Sequence, residues 1–432
     1  MKAFPSIFCS AILPHIMNRD GDLLIVFTRY PVPGKTKTRL IPALGEKGSA
    51  ELQREMTEKT LCYARQTGAP IEVWYTGGTE KQMSDWLGDD LRYVDQSESE
   101  PGERMEKAFQ SAFGRGNRRV VLIASDCPSN RTENIQSAFK SLRKSDVVLG
   151  PSSDGGYYLL GLRSYVLKLI MFEDIDWGSA QVLKQTLSSA AGVRLAHLPR
   201  LRNIDTPEDI PPVISVVIPT LNEAEHIGPV LGRVLDSFGV EVIVVDGGSE
   251  DDTVAYADAV GATVIETSPG RAHQMNAGAS ASAGKILLFL HADTLLPKNW
   301  DMTLRETLSS GIALGAFSFS VDEPLPGIRW VEWGVNLRSH AFALPYGDQG
   351  LFMKRETFEK IGSFPDQPIL EDYELVRRMR KLGRIVTLDE PVVTSARHWT
   401  KRGVFKTVFI NQLVLFAYRC HLPLKWIQKL HR

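Results

Sequence analysis

The sequence predicts an α/β protein made of two tandem domains, each with a mostly parallel sheet. Three observations predict it. The chain has 432 residues, too many for one ordinary domain at roughly 100–200 residues each. Short apolar runs alternate with helical patterns along its length, as strand–helix units of a parallel sheet do. The pattern then starts afresh after a stiff Pro211-Pro212 break.

The elements follow in order. Residues 1–20 hold only a short apolar run, Ala11-Ile12-Leu13, broken by Pro14. That is too weak for a signal peptide, so a disordered lead-in is expected, with Met1 or Met17 as the start. Residues 23–27 (LLIVF) read as a buried strand, 49–66 as a helix, 71–75 as a strand and 105–113 as a helix. Residues 120–124 (VVLIA) and 147–149 read as further strands. Asp205-Thr206-Pro207-Glu208-Asp209 looks like a capped helix start with Pro207 in the first turn. Beyond the break come strands at 214–218 (ISVVI), 242–245, 263–265 and 286–290. The expected segments are thus 1–20, 21–211, 212–403 and a tail, 404–432. Each half also has an apolar strand running into an aspartate and then a proline, at Asp126 and Asp293. This reads as a distant duplication of one fold.

Composition narrows the function. Fifty basic residues nearly cancel 51 acidic ones, which argues against nucleic acid as the partner. Cys9, Cys62, Cys127 and Cys420 are scattered with no CxxC pair, which fits a reducing cytosol. No stretch reaches the ~20 apolar residues of a spanning helix. The nearest, 404–418, is interrupted by Lys406, Asn411 and Gln412.

In open α/β sheets ligands bind beyond the carboxyl ends of the strands, so the residues there are the candidates. Strand 214–218 ends in Pro219-Thr220-Leu221-Asn222-Glu223. Strand 242–245 ends in Asp246-Gly247-Gly248-Ser249. Such an aspartate suits a base or ribose, and also suits a plain capped turn. Arg271, in Pro269-Gly270-Arg271-Ala272, could neutralise a diphosphate or be an ordinary surface arginine at a helix start. His291-Ala292-Asp293 follows a fully apolar strand, where a carboxylate suits a hard divalent cation or caps a turn. Tyr346-Gly347-Asp348-Gln349-Gly350 is glycine-flanked and polar. Glu371-Asp372 opens a helix, where carboxylates are favoured by the dipole or serve as a general base.

Taken in one order, VVIPTLNE, VVDGGSxDxT, PGRAxQMNAGA, LFLHADT, PYGDQGLF and LEDYEL resemble the family 2 glycosyltransferases. More narrowly they resemble the bacterial selenodomain-associated transferases of type 2. The resemblance covers nearly all of the second half. It implies a GT-A (nucleotide-diphospho-sugar transferase-like, Rossmann-like) fold, a UDP-sugar donor, Mg²⁺ or Mn²⁺, and an inverting displacement. It implies that Thr220, Asn222 and Glu223 bind the donor, Asp246 its nucleoside and Arg271 its diphosphate. Asp293 falls on the last aspartate of the DxD motif and would ligate the metal, although the first position of that motif is His291. Asp372 falls on the catalytic base, and Asp348 and Gln349 on the sugar. His398 is a further metal or pyrophosphate contact, though a lone histidine also fits a structural role.

In the first half, Gly34-Lys35-Thr36-Lys37-Thr38-Arg39 follows a strand. Its cations and hydroxyls suit a phosphate cradle or a solvated basic loop; the Walker A spacing is absent. PxPGKxKTRL and SDCP…DGGYYLLGL resemble the selenodomain-associated transferases of type 1 (DUF2064) and, more distantly, cofactor nucleotidyltransferases. By that resemblance Lys35, Lys37 and Arg39 hold phosphate, and Asp126 and Asp205 a metal.

The tail mixes Phe405, Phe409, Phe416, Tyr418 and Trp426 with Lys406, Arg419, Lys425 and Lys429. It reads equally as a packed helical pair or as a peripheral contact with the inner face of the membrane. The latter would suit a lipid or carotenoid-like acceptor and an otherwise cytoplasmic protein. The leading expectation is a glycosyltransferase. The alternatives are a bifunctional protein with a nucleotidyltransferase first half, and a GT-A module that binds nucleotide without turnover.

Overall fold

A computed structural model describes residues 21–96, 99–168, 172, 175–189 and 192–431. The expected lead-in and the choice of start lie outside these residues. The chain divides into two compact units between Ile210 and Pro211.

The first unit holds β1 (Asp22–Arg29), β2 (Ile71–Thr76), β3 (Arg92–Asp95), β4 (Arg119–Ala124), β5 (Val147–Pro151), β6 (Tyr157–Arg163) and β7 (Leu195–His197). Their order in the sheet is β3-β2-β1-β4-β6-β5-β7. β1 pairs in parallel with both β2 and β4, and β6 runs antiparallel between β4 and β5. The second unit holds β8 (Ile214–Thr220), β9 (Val240–Asp246), β10 (Thr263–Glu266), β11 (Ile286–Phe289), β12 (Thr294–Leu295), β13 (Leu314–Val321), β14 (Leu351–Lys354) and β15 (Ile385–Thr394). Their order is β10-β9-β8-β11-β14-β13-β15-β12. Apart from the added edge strand β12, the two sheets share one strand order. In both, the fifth strand in that order (β6, β14) is antiparallel to its neighbours.

The apolar runs form strands because both sheet faces are covered. Ile214, Val216 and Ile218 enter one core, with Leu231 and Trp300, while Val217 enters the opposite one, with Met275 and Val376. In the first unit Leu24 and Val26 pack with Leu61, and Leu23 and Ile25 with Phe109. A strand buried on both sides reads as an uninterrupted apolar run. Helices cover each face, and their N-termini lie after the parallel strands. The helix Arg271–Ala281 comes so close to β8 and β9 that a Cβ on Gly278 would lie 2.4 Å from a Val217 methyl. That close seating brings Arg271 to the ligand edge.

Several elements differ from expectation. The first helix spans Ile41–Arg65, starting earlier than residue 49, and is interrupted at Gly45, whose φ is 72°. Pro207–Asp209 is a single 3-10 turn rather than a helix. There the Thr206 amide and hydroxyl donate to Asp209 Oδ2 at 2.9 and 2.8 Å. The sequence does not predict β3, β6, β7, β12, β13, β14 or β15. Tyr157 and Tyr158 of the DGGYYLLGL segment open β6. β15 is long, carries Pro391 and pairs with β13 across a register shift after Phe317.

Candidate active site

At the carboxyl edge of the second sheet, the loops after β8 and β9 are laced together. Asp246 is buried, and its carboxylate accepts four hydrogen bonds. They come from the Thr220 hydroxyl (3.1 Å), the Ser249 hydroxyl (2.5 Å) and the amides of Gly248 (2.8 Å) and Ser249 (2.7 Å). Burial opposes the charge, but these donors outweigh it and hold the Asp246 pKa below the usual carboxylate range. Asn222, at a φ of 57°, donates its amide to Ser249 Oγ and accepts from the Glu250 amide. Gln274 was not singled out by the sequence. Its amide nitrogen donates to the carbonyls of Thr220 and Val245, each at 2.8 Å, and closes this scaffold from below.

The strand ends open onto a cavity of about 1230 Å³, lined by Arg271, His291, Asp293, Asp348, Asp372 and His398 among others. Six of the expected chemical groups, scattered over residues 271–398, thus share one space. Thr220, Asn222, Glu223 and Asp246 are not among its lining residues.

Asp372 opens the helix Glu371–Met379 and is oriented by two backbone donors. Gly347 N donates to Oδ2 and Tyr373 N to Oδ1, each at 2.7 Å. A Cβ on Gly347 would stand 3.2 Å from Asp372 Oδ2 and 3.4 Å from His291 Nε2. Glycine there lets the Tyr346–Gln349 turn reach both side chains. The preceding Leu370 takes a left-handed φ of 62°, a strain of the kind that gathers at functional sites. Burial pushes the Glu371 pKa up to about 7, with Asp372 adding and Arg271 (3.8 Å away) opposing. Burial likewise pushes Asp348 up to about 6, and its Oδ1 is enclosed with no protein partner. His291 is driven down to about 3 by burial and by the nearby Arg271 and Arg397. It is therefore a neutral imidazole at physiological pH.

Gln349 and Glu223 sit differently from expectation, and one further cation joins the site. Gln349, expected on the sugar, does not line the cavity. It is fully buried, its Nε2 donates to the Phe317 carbonyl (2.9 Å), and its Oε1 accepts from Ser339 Oγ (2.8 Å) and the Tyr346 amide (3.1 Å). An amide with both ends satisfied by protein is a structural pin. Glu223, expected to bind the donor, does not line the cavity either: it accepts from Arg397, and its Oε2 stands 3.7 Å from His226 Nδ1 with no hydrogen-bond partner. The addition is Arg397 itself, whose guanidinium joins Glu223 to Asp293 Oδ2 (3.1 Å). It follows β15 directly beside the expected His398, and the only signal for it was a cation just past a strand end.

At the matching edge of the first sheet, the expected cradle separates. Lys35 and Arg39 are exposed. Lys37, at a left-handed φ of 48°, turns inward. Its Nζ donates to Asp205 Oδ1 (2.9 Å) and the Ile204 carbonyl (2.7 Å) and lies 3.6 Å from Asp126 Oδ2. Its ammonium thus stands between the two aspartates expected to hold a metal. Burial works against that ammonium, but Asp126 and Asp205 raise its pKa. Burial raises the Asp126 pKa, and its Oδ1 has no protein partner. Among the described residues no group of three or more His, Cys, Asp or Glu forms a metal cluster in either unit.

Residues 215–325 match the family described as glycosyl transferase family 2. Residues 60–179 match the bacterial family DUF2064, described as an uncharacterized protein conserved in bacteria. The two matches follow one another in N- to C-terminal order, one in each of the two compact units. Among curated proteins, glucosyl-3-phosphoglycerate synthase of Mycolicibacterium paratuberculosis is 35% identical over 96 residues. That alignment covers 19% of this chain and 29% of the relative, so the chain spans under a third of that enzyme's length. A Desulfovibrio desulfuricans protein described as a nucleotide-diphospho-sugar transferase is 34% identical. It covers 43% of this chain and 83% of its own, with a TM-score of 0.41. Glucosyl-3-phosphoglycerate synthase of Mycobacterium tuberculosis, crystallised with Mn²⁺, UDP and glucosyl-3-phosphoglycerate, is 22% identical. It covers 49% of this chain and 81% of its own, with a TM-score of 0.36.

Proposed function

We propose, from the premise that residues 215–325 belong to glycosyl transferase family 2, that this protein moves a sugar from a nucleotide-sugar to a hydroxyl or carboxyl acceptor. The observation that carries the reading is the meeting of Arg271, Asp293 and Asp372 at one cavity past the strand ends. A backbone-oriented carboxylate, a diphosphate-pairing cation and a hard-cation ligand are the three parts such a transfer needs.

In this mechanism Asp372 takes the proton from the acceptor oxygen. That oxygen forms its bond to the anomeric carbon as the bond to the diphosphate breaks on the opposite face, so the centre inverts. Arg271 and the amides at the start of its helix hold the departing diphosphate. The Asp246 network shapes the loops that seat the nucleoside. Mg²⁺ or Mn²⁺ would be held by Asp293, with His398 as a further contact at the same cavity. Hard cations commonly bind through one or two carboxylates together with substrate phosphates. Such an ion would neutralise charge on the leaving group. Arg397 balances Asp293 and Glu223, and itself presents a fork suited to phosphate.

UDP is the proposed nucleotide, in line with the UDP bound by the M. tuberculosis relative. The acceptor is proposed to be lipid-like or carotenoid-like and reached at the inner face of the membrane by an otherwise cytoplasmic protein. Among the described residues no helix is long and apolar enough to cross a membrane.

Calorimetric titration of UDP, GDP and CDP with Mn²⁺, on wild type and Asp293→Ala, tests the reading. Metal-dependent UDP binding that is lost in Asp293→Ala is expected. Absence of any nucleotide binding by folded protein would sink it.

A further inference from the structure

The helix Ile328–Phe342, which joins β13 to β14, buries Ile328 and packs Val331 and Val335 against a core, yet is apolar on its outer face as well. Its polar side chains face the sheet. Asn336 caps β13 by accepting from the Phe319 amide (2.7 Å) and donating to the Phe319 carbonyl (3.0 Å). Buried Glu332 accepts from the Val321 amide (2.8 Å). Other large apolar side chains face outward: Trp330 is 77% exposed, Trp333 61% exposed, and Leu337 is exposed as well. Positions 330, 333 and 337 recur at the spacing of a single helix face.

The helix Val404–Arg419 repeats the arrangement. Val404, Thr407, Val414 and Ala417 form its buried stripe, while Phe405 (79% exposed), Phe409, Leu413 and Phe416 form an outward one. A helix apolar on both faces belongs between two apolar media. At 16 residues it is short of the ~20 needed to span a bilayer. The two helices meet, since a Cβ on Gly327 would stand 3.2 Å from the Phe405 ring. Trp330, Phe405 and Phe409 also line the cavity that holds Asp372. The exposed aromatic surface is therefore continuous with the mouth of that cavity.

Charge selects the occupant. From Ser395 to Arg432 the sequence has no Asp or Glu, against eight Lys and Arg. Lys401, Lys406, Arg419 and Lys425 are exposed, and Trp426 stands out from the last helix at 70% exposure. Outward aromatics ringed by cations fit the headgroup–acyl boundary of an anionic bilayer. A second copy of the chain would bring the same positive charges together.

We propose that the outward faces of the helices Ile328–Phe342 and Val404–Arg419 form one monotopic docking surface for an anionic phospholipid bilayer. Docking there turns the cavity mouth toward the lipid. Resting on the glycosyltransferase reading, this makes the acceptor a membrane-resident amphiphile that offers its polar end to Asp372 from the bilayer side.

Co-sedimentation tests it with vesicles of phosphatidylcholine alone and of phosphatidylcholine mixed with phosphatidylglycerol, at low and high salt. The variants are Trp333→Ser/Phe416→Ser/Trp426→Ser, whose side chains do not line the cavity, and Lys401→Gln/Lys406→Gln/Lys425→Gln. Wild type should prefer the mixed vesicles in a salt-sensitive way. Each triple variant should lose roughly tenfold or more of that partitioning while keeping the wild-type melting temperature. Wild type that ignores phosphatidylglycerol, or variants that partition like wild type, would overturn the proposal. So would a dimer seen by light scattering that the aromatic variant dissociates while vesicles are ignored. UDP–Mn²⁺ calorimetry on the same proteins keeps the two readings apart. Vesicle binding without nucleotide binding supports docking and sinks the transferase, whereas nucleotide binding without vesicle binding overturns docking alone.

Discussion

The two units share a strand order and an aspartate after the fourth strand, Asp126 after β4 and Asp293 after β11, yet they surround that aspartate differently. In the first unit a lysine from the loop after β1 fills the space between Asp126 and Asp205. In the second, an arginine from beyond β15 bridges Asp293 and Glu223. A lysine is a compact point charge, whereas an arginine fork can hold two anions and still face a third. The connection between the two antiparallel strands also differs. In the first unit it is residues 152–156 alone, while in the second it is residues 322–350, with a helix and the Tyr346–Gln349 turn. That longer segment supplies Asp348, Trp330 and Arg338 to the cavity wall. A common sheet thus fixes where an aspartate stands, and the connecting segments fix whether a substrate-sized space forms around it.

The sharpest break of this comparison is Asp372→Asn. It should lower kcat by about 10²–10⁴-fold, the range of general base catalysis, with UDP affinity preserved. Turnover that survives would move the chemistry elsewhere, the first unit included. Next is Arg397→Gln, which leaves Glu223 and Asp293 without their shared cation. A loss of about 1–3 kcal/mol is expected in the melting transition of the second unit, with weaker UDP binding. An unchanged transition would mean that the bridge carries no weight.

Lys37→Met is the counterpart in the first unit. Its side chain is 13% exposed and its partners 29% and 37%, so solvent screens part of the pairing and about 1–2 kcal/mol is expected. Hydrogen exchange should localise the loosening to the first unit. Loosening in both units alike would show that they are not energetically separate.

The smallest effect is with pH. Glu371 has its pKa raised from 4.5 to about 7. Between those values the native state keeps a proton that the unfolded chain releases, so stability falls as pH rises through that window. His291, lowered from 6.5 to about 3, contributes the opposite slope below about pH 6.5. Glu371→Gln should therefore raise the melting temperature by a few degrees at pH 7–8 and by less near pH 5. A variant curve parallel to wild type across that range would contradict the assignment.

Much of the fold was legible. The runs at 214–218 and 120–124 fall within β8 and β4 because strands buried on both faces must be apolar without interruption. β15 was not legible, because its half-exposed sequence, with Asp389, Glu390 and Pro391 inside it, lacks that signal. In the site, Asp293 and Asp372 stand out because an aspartate after an apolar strand or at a helix start has a local context. Gln349 misled, since a polar residue between glycines looks solvent-facing until Ser339, Tyr346 and Phe317 are seen to enclose it.

The sequence by itself determined the alternation of strands and helices, the break at Pro211 and the aspartates at strand ends. Each of these is a consequence of burial and turn chemistry acting within a few residues. Only the tertiary structure decided which cation meets which carboxylate: Lys37 reaches Asp205 across 168 residues, and Arg397 reaches Glu223 across 174. It also decided that two helices turn their tryptophans and phenylalanines outward at one cavity mouth. The cause is the same in both cases. Pairing and exposure depend on what chain topology places opposite a side chain, and no local pattern carries that information.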